Sequence, residues 1–502
     1  MDSIVRNYLD QFGVCEDTRR FLDRPHMMLI DGAFVPGEGG ECLDVIEPST
    51  AGVITQIPLA TTGDLDRAVA AARGQVDGGP WRRLKPLERE RLLHRLADLI
   101  EAHATELAEI ESIDVGKAVT QARDVDIQGT IDTFRYFAGW PSKIHGRTVE
   151  PSLPGSYVAY TRKEPVGVVG AIVPWNFPLQ TMAWKVAAAL AAGCTVVIKP
   201  AELTSLSTLR FAELVQEAGF PDGVVNVVTG RGNVVGAAMA SHPGIDKVTF
   251  TGSTEVGRTV GRSAVGGIRR VTLELGGKSP VLVLDDADVD AAARAVANGM
   301  FFNAGQVCDA GSRVYVQRTL HDRFLAALTD YTRTLKIAPG LDRDCFISPL
   351  VSALQKDRVM TYIEAGRREG AELVHGGHQV DRPGFFVQPT IFAHCRSNMK
   401  IVREEIFGPV LVTAPFDDVS EALALANDSP YGLAAAIYSN DLKRVHALIP
   451  QLHAGSVYVN AHSTIDPSMP FGGFKESGFG KDLGSEQLDS LTETKAVWIT
   501  LD

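Results

Sequence analysis

Several segments carry residues suited to chemistry at a carbonyl group. Cys308 closes Phe301-Phe-Asn-Ala-Gly-Gln-Val-Cys308, shortly after a helical run and near a glycine that lets a backbone approach a ligand. A thiolate is a strong nucleophile toward carbonyl carbon when its surroundings hold the proton off, although a free cysteine is also a common inert core residue. Glu274 stands in Thr272-Leu-Glu-Leu-Gly-Gly-Lys-Ser279, flanked by leucines. An apolar setting raises a carboxyl pKa and suits it to take a proton from water; pairing with Lys278 is the structural alternative. Asn176, in Pro174-Trp-Asn-Phe-Pro178, follows a strand and sits between prolines. Its amide is placed either to donate to an oxyanion or to satisfy its own turn.

Two further segments suit a nucleotide. Phe250-Thr-Gly-Ser-Thr-Glu-Val-Gly257 reads as a strand end, a glycine turn and a helix start, where backbone N–H groups can receive phosphate. It is not the GxGxxG pattern, so alone it is weak. Lys199-Pro-Ala-Glu202 follows another strand; Glu202 there either binds ribose hydroxyls, and repels a 2'-phosphate, or is a solvated charge.

These residues need elements to hold them. Gly167–Pro174, Thr195–Pro200 and Val224–Val228 are β-rich, and helical runs Leu179–Ala192 and Ser205–Ala218 lie between them. That alternation gives βαβ units and a doubly wound parallel sheet over about 150 to 265. The pattern returns with Val281–Leu284, a helix near Asp288 to Phe302, a strand over 313–316 and a helix over 320–335, so a second α/β domain follows. Apolar residues at helical spacing predict an amphipathic helix over 87–113, with Pro86 in its first turn.

Length and composition bound the rest. At 502 residues, 45% hydrophobic and 22% charged, the chain is a globular protein of two or three domains. The net charge of -12, with scattered basic residues, gives no nucleic-acid footprint and favours a small-molecule partner. The start lacks a secretory pattern and the longest apolar stretch, 186–198, is too short to span a bilayer. A soluble cytoplasmic protein that does not bind membranes is expected. Six cysteines without a CxxC pair indicate neither a disulfide framework nor a zinc site.

Taken together and in this order, the segments resemble the aldehyde dehydrogenase superfamily over almost the whole chain. Glu404-Glu-Ile-Phe-Gly-Pro409 and Pro470-Phe-Gly-Gly473 add to the match. The resemblance implies an aldehyde dehydrogenase-like α/β fold: an NAD-binding domain over 1–140 and 162–273, a catalytic domain over 274–475, and a small β oligomerisation arm over 141–161 and 476–502. A homodimer or homotetramer would follow.

The resemblance also implies roles. Cys308 is the nucleophile, Glu274 the base for deacylation, and Asn176 half of an oxyanion hole completed by the Cys308 backbone N–H; Lys199 belongs to the catalytic group as well. NAD is the implied cofactor and no metal is expected. Lys199 and Glu202 would take the adenosine ribose, Ser253 the pyrophosphate, and Glu405 with Phe407 the nicotinamide ribose. Ile172, Val173, Pro174, Trp175, Gly232, Phe250, Gly252 and Leu275 would complete that side. The implied reaction passes through a thiohemiacetal, hydride loss to the nicotinamide, and hydrolysis of a thioester to the acid.

By family position Phe177, Trp184, Phe302, Phe471 and the loop His462-Ser-Thr-Ile465 line the aldehyde tunnel, which suits an apolar or aromatic substrate. Phe21-Leu-Asp-Arg-Pro-His26, Thr161-Arg-Lys-Glu-Pro-Val166 and Asn460-Ala-His-Ser-Thr-Ile-Asp466 resemble bacterial phenylacetaldehyde dehydrogenases. Phenylacetaldehyde or a close arylaldehyde is therefore the expected substrate. A broad-specificity enzyme, or one of the betaine or semialdehyde type, is the alternative, and a non-catalytic NAD-binding relative a more distant one. Glu274 argues against an acylating enzyme that uses coenzyme A, and Glu202 against an NADPH-dependent reductase. One residue departs from the family pattern: Asp309 follows the nucleophile where relatives carry a small or uncharged residue, and a solvated or salt-bridged carboxylate is expected there. Which of Glu404 and Glu405 faces the ribose is open at this point.

Overall fold

Strands rich in valine and isoleucine, bounded by Gly and Pro, are buried on both faces when helices cover the two sides of a parallel sheet. The computed structural model, which describes residues 1–501, contains two such sheets. In the first, Val168–Ile172, Thr195–Lys199, Val225–Val227, Lys247–Thr251 and Arg270–Glu274 are the parallel strands. Their order across the sheet runs 225–227, 195–199, 168–172, 247–251, 270–274. The chain thus reverses its direction of winding beside 168–172, and the carboxyl ends of the strands there border a crevice. Ile172, Lys199, Thr251 and Glu274 are the last residues of their strands. The sequence pattern that builds the sheet therefore also delivers the chemistry to one edge.

The sheet extends beyond the expected range. Strands Met28–Ile30 and Ala33–Val35 add antiparallel to one side, and Gly478–Phe479 pairs antiparallel with 273–274 on the other. Residues 478–479, expected in the arm, lie here because Gly478, at φ 117°, allows a contact that a Cβ would block at 1.9 Å from the Leu273 carbonyl.

The second sheet orders its strands 372–375, 390–393, 410–416, 313–317, 280–283, 434–438, 456–459, all parallel except the first pair. The third has three antiparallel strands, Thr148–Val149, Tyr157–Pro165 and Thr492–Thr500, the last two paired along nine residues from Thr492↔Pro165 to Thr500↔Tyr157. Strand 157–165 falls within the range that alternation gave the first sheet, but it belongs to this ribbon, as the arm over 141–161 and 476–502 implied by the resemblance leads one to expect for its first half. Its Thr-Arg-Lys-Glu run is too polar for a strand covered on both faces. The expected helix over 87–113 is two helices, Pro86–Ala102 and Ala104–Val115, broken where His103 leaves helical geometry. Among the described residues no helix is long and apolar enough to cross a membrane.

One buried cation ties the second sheet to its neighbours. Arg313 opens strand 313–317 and donates to three backbone carbonyls, Nε to Lys278 O at 2.7 Å, Nη1 to Leu425 O at 3.0 Å and Nη2 to Ala426 O at 2.9 Å, and from Nη1 to the Tyr315 hydroxyl at 3.2 Å. Among the described residues no carboxylate pairs with it. Three buried carbonyls lose their donor if the guanidinium goes. Arg313→Met is expected to destabilise the protein by about 3 kcal/mol, read as a lowered thermal midpoint by differential scanning fluorimetry; an unchanged midpoint would refute this role.

Candidate active site

The segment that carries the thiol begins with an unfavourable turn. After helix Val289–Phe301 the chain extends at Phe302, and Asn303 (φ 47°) and Ala304 (φ 52°) then take left-handed backbone angles, followed by Gly305 (φ 73°). A non-glycine residue held there costs on the order of 1 kcal/mol or more. Four hydrogen bonds oppose that cost. The Asn303 N–H donates to Gln121 Oε1 at 3.0 Å and its Nδ2 to Asn176 O at 3.1 Å. The Gln306 side chain donates to Asn303 O at 3.0 Å and accepts from the Val351 N–H at 2.9 Å. A Cβ on Gly305 would stand 2.3 Å from Gly408 O, so glycine is required where the two backbones meet. Cys308 then emerges half-buried on a cavity of about 620 Å³. Asn176 donates from Nδ2 to Gln306 O at 2.9 Å, which fixes its amide against the same turn and leaves its second N–H uncommitted.

Glu274 lines the same cavity at its strand end. It is buried, and neither carboxylate oxygen has a hydrogen-bond partner among the described residues. Burial pushes its carboxyl well above the usual range; Asp482 adds to this, and Lys185 and Lys481 oppose it. Lys185 pairs with Asp482 at 2.6 Å, and Lys481 donates to Gly472 O. Lys278 is not its partner: that ammonium is itself buried without a hydrogen bond, and burial, followed by the Arg313 charge, brings it down to about 7. The Cys308 thiol is also pushed well up, first by burial and then by the carboxylates of Asp309, Glu274 and Glu405.

Asp309 is neither solvated nor salt-bridged, contrary to expectation. It is buried, and its two oxygens accept from Tyr458 OH and from Ser463 Oγ, each at 3.1 Å. The strand 456–459 and the loop after it supply hydroxyl donors in place of water, which makes burial affordable without a cation.

The opposite arm of the cavity is polar at its rim. Lys199 Nζ donates to Pro200 O at 2.8 Å and stands 3.5 Å from Glu202 Oε2; the Gly232 N–H reaches Glu202 Oε1 at 3.4 Å. Ser253 caps helix Thr254–Gly266, accepting from the Val256 N–H at 3.3 Å, so the positive end of the helix opens beside it. Glu405 accepts from the Gly277 N–H at 3.1 Å, and burial brings its carboxyl up to about 7. Glu405 lines the cavity, whereas Glu404 turns away to accept from Tyr362 OH at 2.8 Å. Phe407, at φ 59°, meets the Trp175 ring edge-on at 5.2 Å. A carboxylate and an ammonium at one end, a helix N-terminus between, and a carboxylate beside the thiol fit a dinucleotide laid along the strand ends.

Comparison with known proteins bears on this arrangement. The aldehyde dehydrogenase family model matches residues 34–497. The chain belongs to the aldehyde dehydrogenase family. An aldehyde dehydrogenase of Emericella nidulans is 47% identical to it over 489 residues, 97% of this chain and 98% of that protein. The structure of an aldehyde dehydrogenase from Bacillus cereus in its NAD+ complex is similar, with a TM-score of 0.96 and 45% identity over 97% of this chain and 99% of that one. A betaine aldehyde dehydrogenase from Staphylococcus aureus has a TM-score of 0.94 and 37% identity, covering 97% and 98% of the two chains.

Every residue that the sequence marks as a candidate for the nucleophile, base, oxyanion, cofactor or aldehyde position in this family lines the one cavity. On the aldehyde side the Phe177 and Phe302 rings stack at 6.2 Å, nearly parallel, and Trp184 meets Phe471 at 5.2 Å. Ile465 borders them. Lys117, buried and paired with Asp126, holds its ammonium 3.7 Å from the centre of the Phe177 ring. The cations near Glu274 escaped the sequence reading. Lys185 is the one charge on the apolar helix Pro178–Ala192, a signal that it needs a buried partner. Gln355 and Arg358 were also missed; they hold Phe407 O and Glu405 O at 2.7 and 2.9 Å.

Removing a neighbouring negative charge makes the thiol easier to ionise. Glu274→Gln is expected to shift the pH midpoint for iodoacetamide labelling of Cys308, followed by peptide mass spectrometry, to lower pH. A midpoint that stays put or rises would show that the carboxylate is not felt at the sulfur.

Proposed function

We propose that the enzyme is an NAD-dependent aldehyde oxidoreductase that converts an arylaldehyde such as phenylacetaldehyde into its carboxylic acid. The observation that carries this reading is the buried, unpartnered Glu274 carboxylate in the same cavity as the Cys308 thiol and the Asn176 amide. Glu111 is also buried without partners, but only Glu274 lines the cavity that holds Cys308, where a desolvated, unpaired carboxylate can take a proton from water.

Cys308 Sγ attacks the carbonyl carbon, and the developing oxyanion receives the free N–H of Asn176 and the Cys308 backbone N–H. Lys199 and Glu202 hold the adenosine ribose, the helix end at Ser253 the pyrophosphate, and Glu405 with Phe407 the nicotinamide ribose. Bound NAD+ supplies the hydride acceptor. Glu274 then takes a proton from water as that water attacks the thioester carbon, and release of the acid returns the thiolate. The stacked Phe177 and Phe302 and the Trp184–Phe471 pair support an aromatic substrate, because offset and tilted rings accept a further ring face or edge.

Both reacting groups work without their protons and both hold them more tightly than usual. Turnover is therefore expected to fall as pH drops and to rise from neutral into alkaline solution. Following NADH formation with a panel of aldehydes tests the whole reading. Cys308→Ala should be inactive, and Glu274→Gln should reduce steady-state turnover by about 100-fold or more. Retained activity in the first, or a kcat/KM for phenylacetaldehyde below those for short aliphatic and betaine aldehydes, would overturn mechanism or substrate respectively.

We also infer a homo-oligomer, a dimer or tetramer, assembled through the three-stranded ribbon. Val158, Trp498, Ile499 and Leu501 are exposed apolar residues on or beside its long strands, a surface suited to extension by a second copy. Light scattering on the eluting protein is expected to give a multiple of the 54.0 kDa chain mass, and Trp498→Glu to reduce it; a monomer would contradict the inference.

A further inference from the structure

The aromatic tunnel contains one polar ring whose acceptor atom is uncommitted. His462 lines the cavity. Its ring is wedged between glycines: a Cβ on Gly299 would lie 2.6 Å from its Cδ2, and one on Gly311 2.8 Å from its Cε1. Nε2 stands 3.1 Å from the backbone carbonyl of Asp309. A carbonyl only accepts, so Nε2 carries the hydrogen. Burial lowers the pKa of the ring, against the opposing influence of Asp309, and so favours its neutral form. In the neutral ring with hydrogen on Nε2, Nδ1 is a bare acceptor. Among the described residues nothing donates to it, and it is not one of the fully buried unpartnered atoms, so it keeps access to open space. The polar atoms around it are already engaged: the two oxygens of Asp309 accept from Ser463 and Tyr458.

We propose that His462 Nδ1 is a hydrogen-bond acceptor subsite of the aldehyde tunnel, and that the preferred substrate is an arylaldehyde bearing a hydroxyl group on its ring. The proposal rests on the arylaldehyde reading above and narrows it. The rings of Phe177, Phe302, Trp184 and Phe471 take the aryl body, and His462 reads one donor on its edge. A neutral acceptor suits a hydroxyl because no charge on the substrate is needed to match it. The Nε2 contact to the Asp309 carbonyl fixes the ring, so an ether oxygen at the same place would meet an acceptor with no proton between them.

The test compares kcat/KM for phenylacetaldehyde, its 2-, 3- and 4-hydroxy derivatives and the matching methoxy compounds. It uses the wild-type enzyme, His462→Phe, which lacks the acceptor, and Tyr458→Phe, which loosens the same loop and keeps it. One hydroxy isomer is expected to exceed the parent compound by about five- to tenfold in the wild type, and its methoxy counterpart to fall below the parent. That ratio should fall to about one in His462→Phe and persist in Tyr458→Phe. The proposal is overturned if no hydroxy isomer is preferred by the wild type, if the preference survives in His462→Phe, or if Tyr458→Phe abolishes it equally. Aryl compounds falling below short aliphatic aldehydes throughout would remove the underlying reading as well, an outcome distinct from equal use of hydroxylated and unsubstituted arylaldehydes.

Discussion

The left-handed turn at Asn303, Ala304 and Gly305 is the constraint on which the site depends. Two of its residues have side chains that disfavour such angles, so the turn exists only because both halves of the molecule grip it. Gln121 and Asn176 hold it from the first α/β unit, and Val351 and Gly408 bound it from the second. The Cys308 thiol is therefore placed by the way the two units meet. Asn176 serves twice: its carbonyl accepts from Asn303 while its amide donates to Gln306 O. The group proposed to meet the oxyanion is thereby fixed relative to the backbone that leads to the sulfur.

Around that turn lies a set of ionisable groups with little water. Cys308, Glu274 and Glu405 are each pushed up by burial, and Lys199 and Lys278 are each pulled down by it. In a medium of low polarity each group prefers its neutral form, and small changes of geometry alter proton affinity more than they would in water. Lys185 and Asp482 illustrate the balance, because paired they bring opposing charges to Glu274 from one side.

Much of this was legible before any coordinates. Continuous apolar runs identified the strands that end near Ile172 and Lys199, and helical spacing the helices between them, because both are set by local burial; strand 270–274, which ends at Glu274, lay beyond the expected sheet. The order of motifs along the chain pointed to a common cavity for Cys308, Asn176 and the nucleotide-side residues. What stayed hidden depends on contacts distant in sequence. The pairing of 157–165 with 492–500 agrees with the arm that the family resemblance implies, but the boundary at 161 fell in the middle of the strand. Asp309 seemed to need solvent because Tyr458 and Ser463, about 150 positions away, gave no local sign of facing it. Glu404 and Glu405 are adjacent and chemically alike, and only the Gly277 N–H and Tyr362 OH separate their directions.

The two flanks of Cys308 are held in different ways. On its amino side the turn is held by the side-chain amides of Gln121, Asn303 and Gln306, and by the close approach of Gly305 to the Gly408 carbonyl, which admits no side chain. On its carboxyl side Asp309 holds the loop bearing His462, Ser463 and Ile465 through side-chain hydroxyls, which single substitutions can remove. The placement of the thiol and the placement of that loop therefore rest on different sets of side chains.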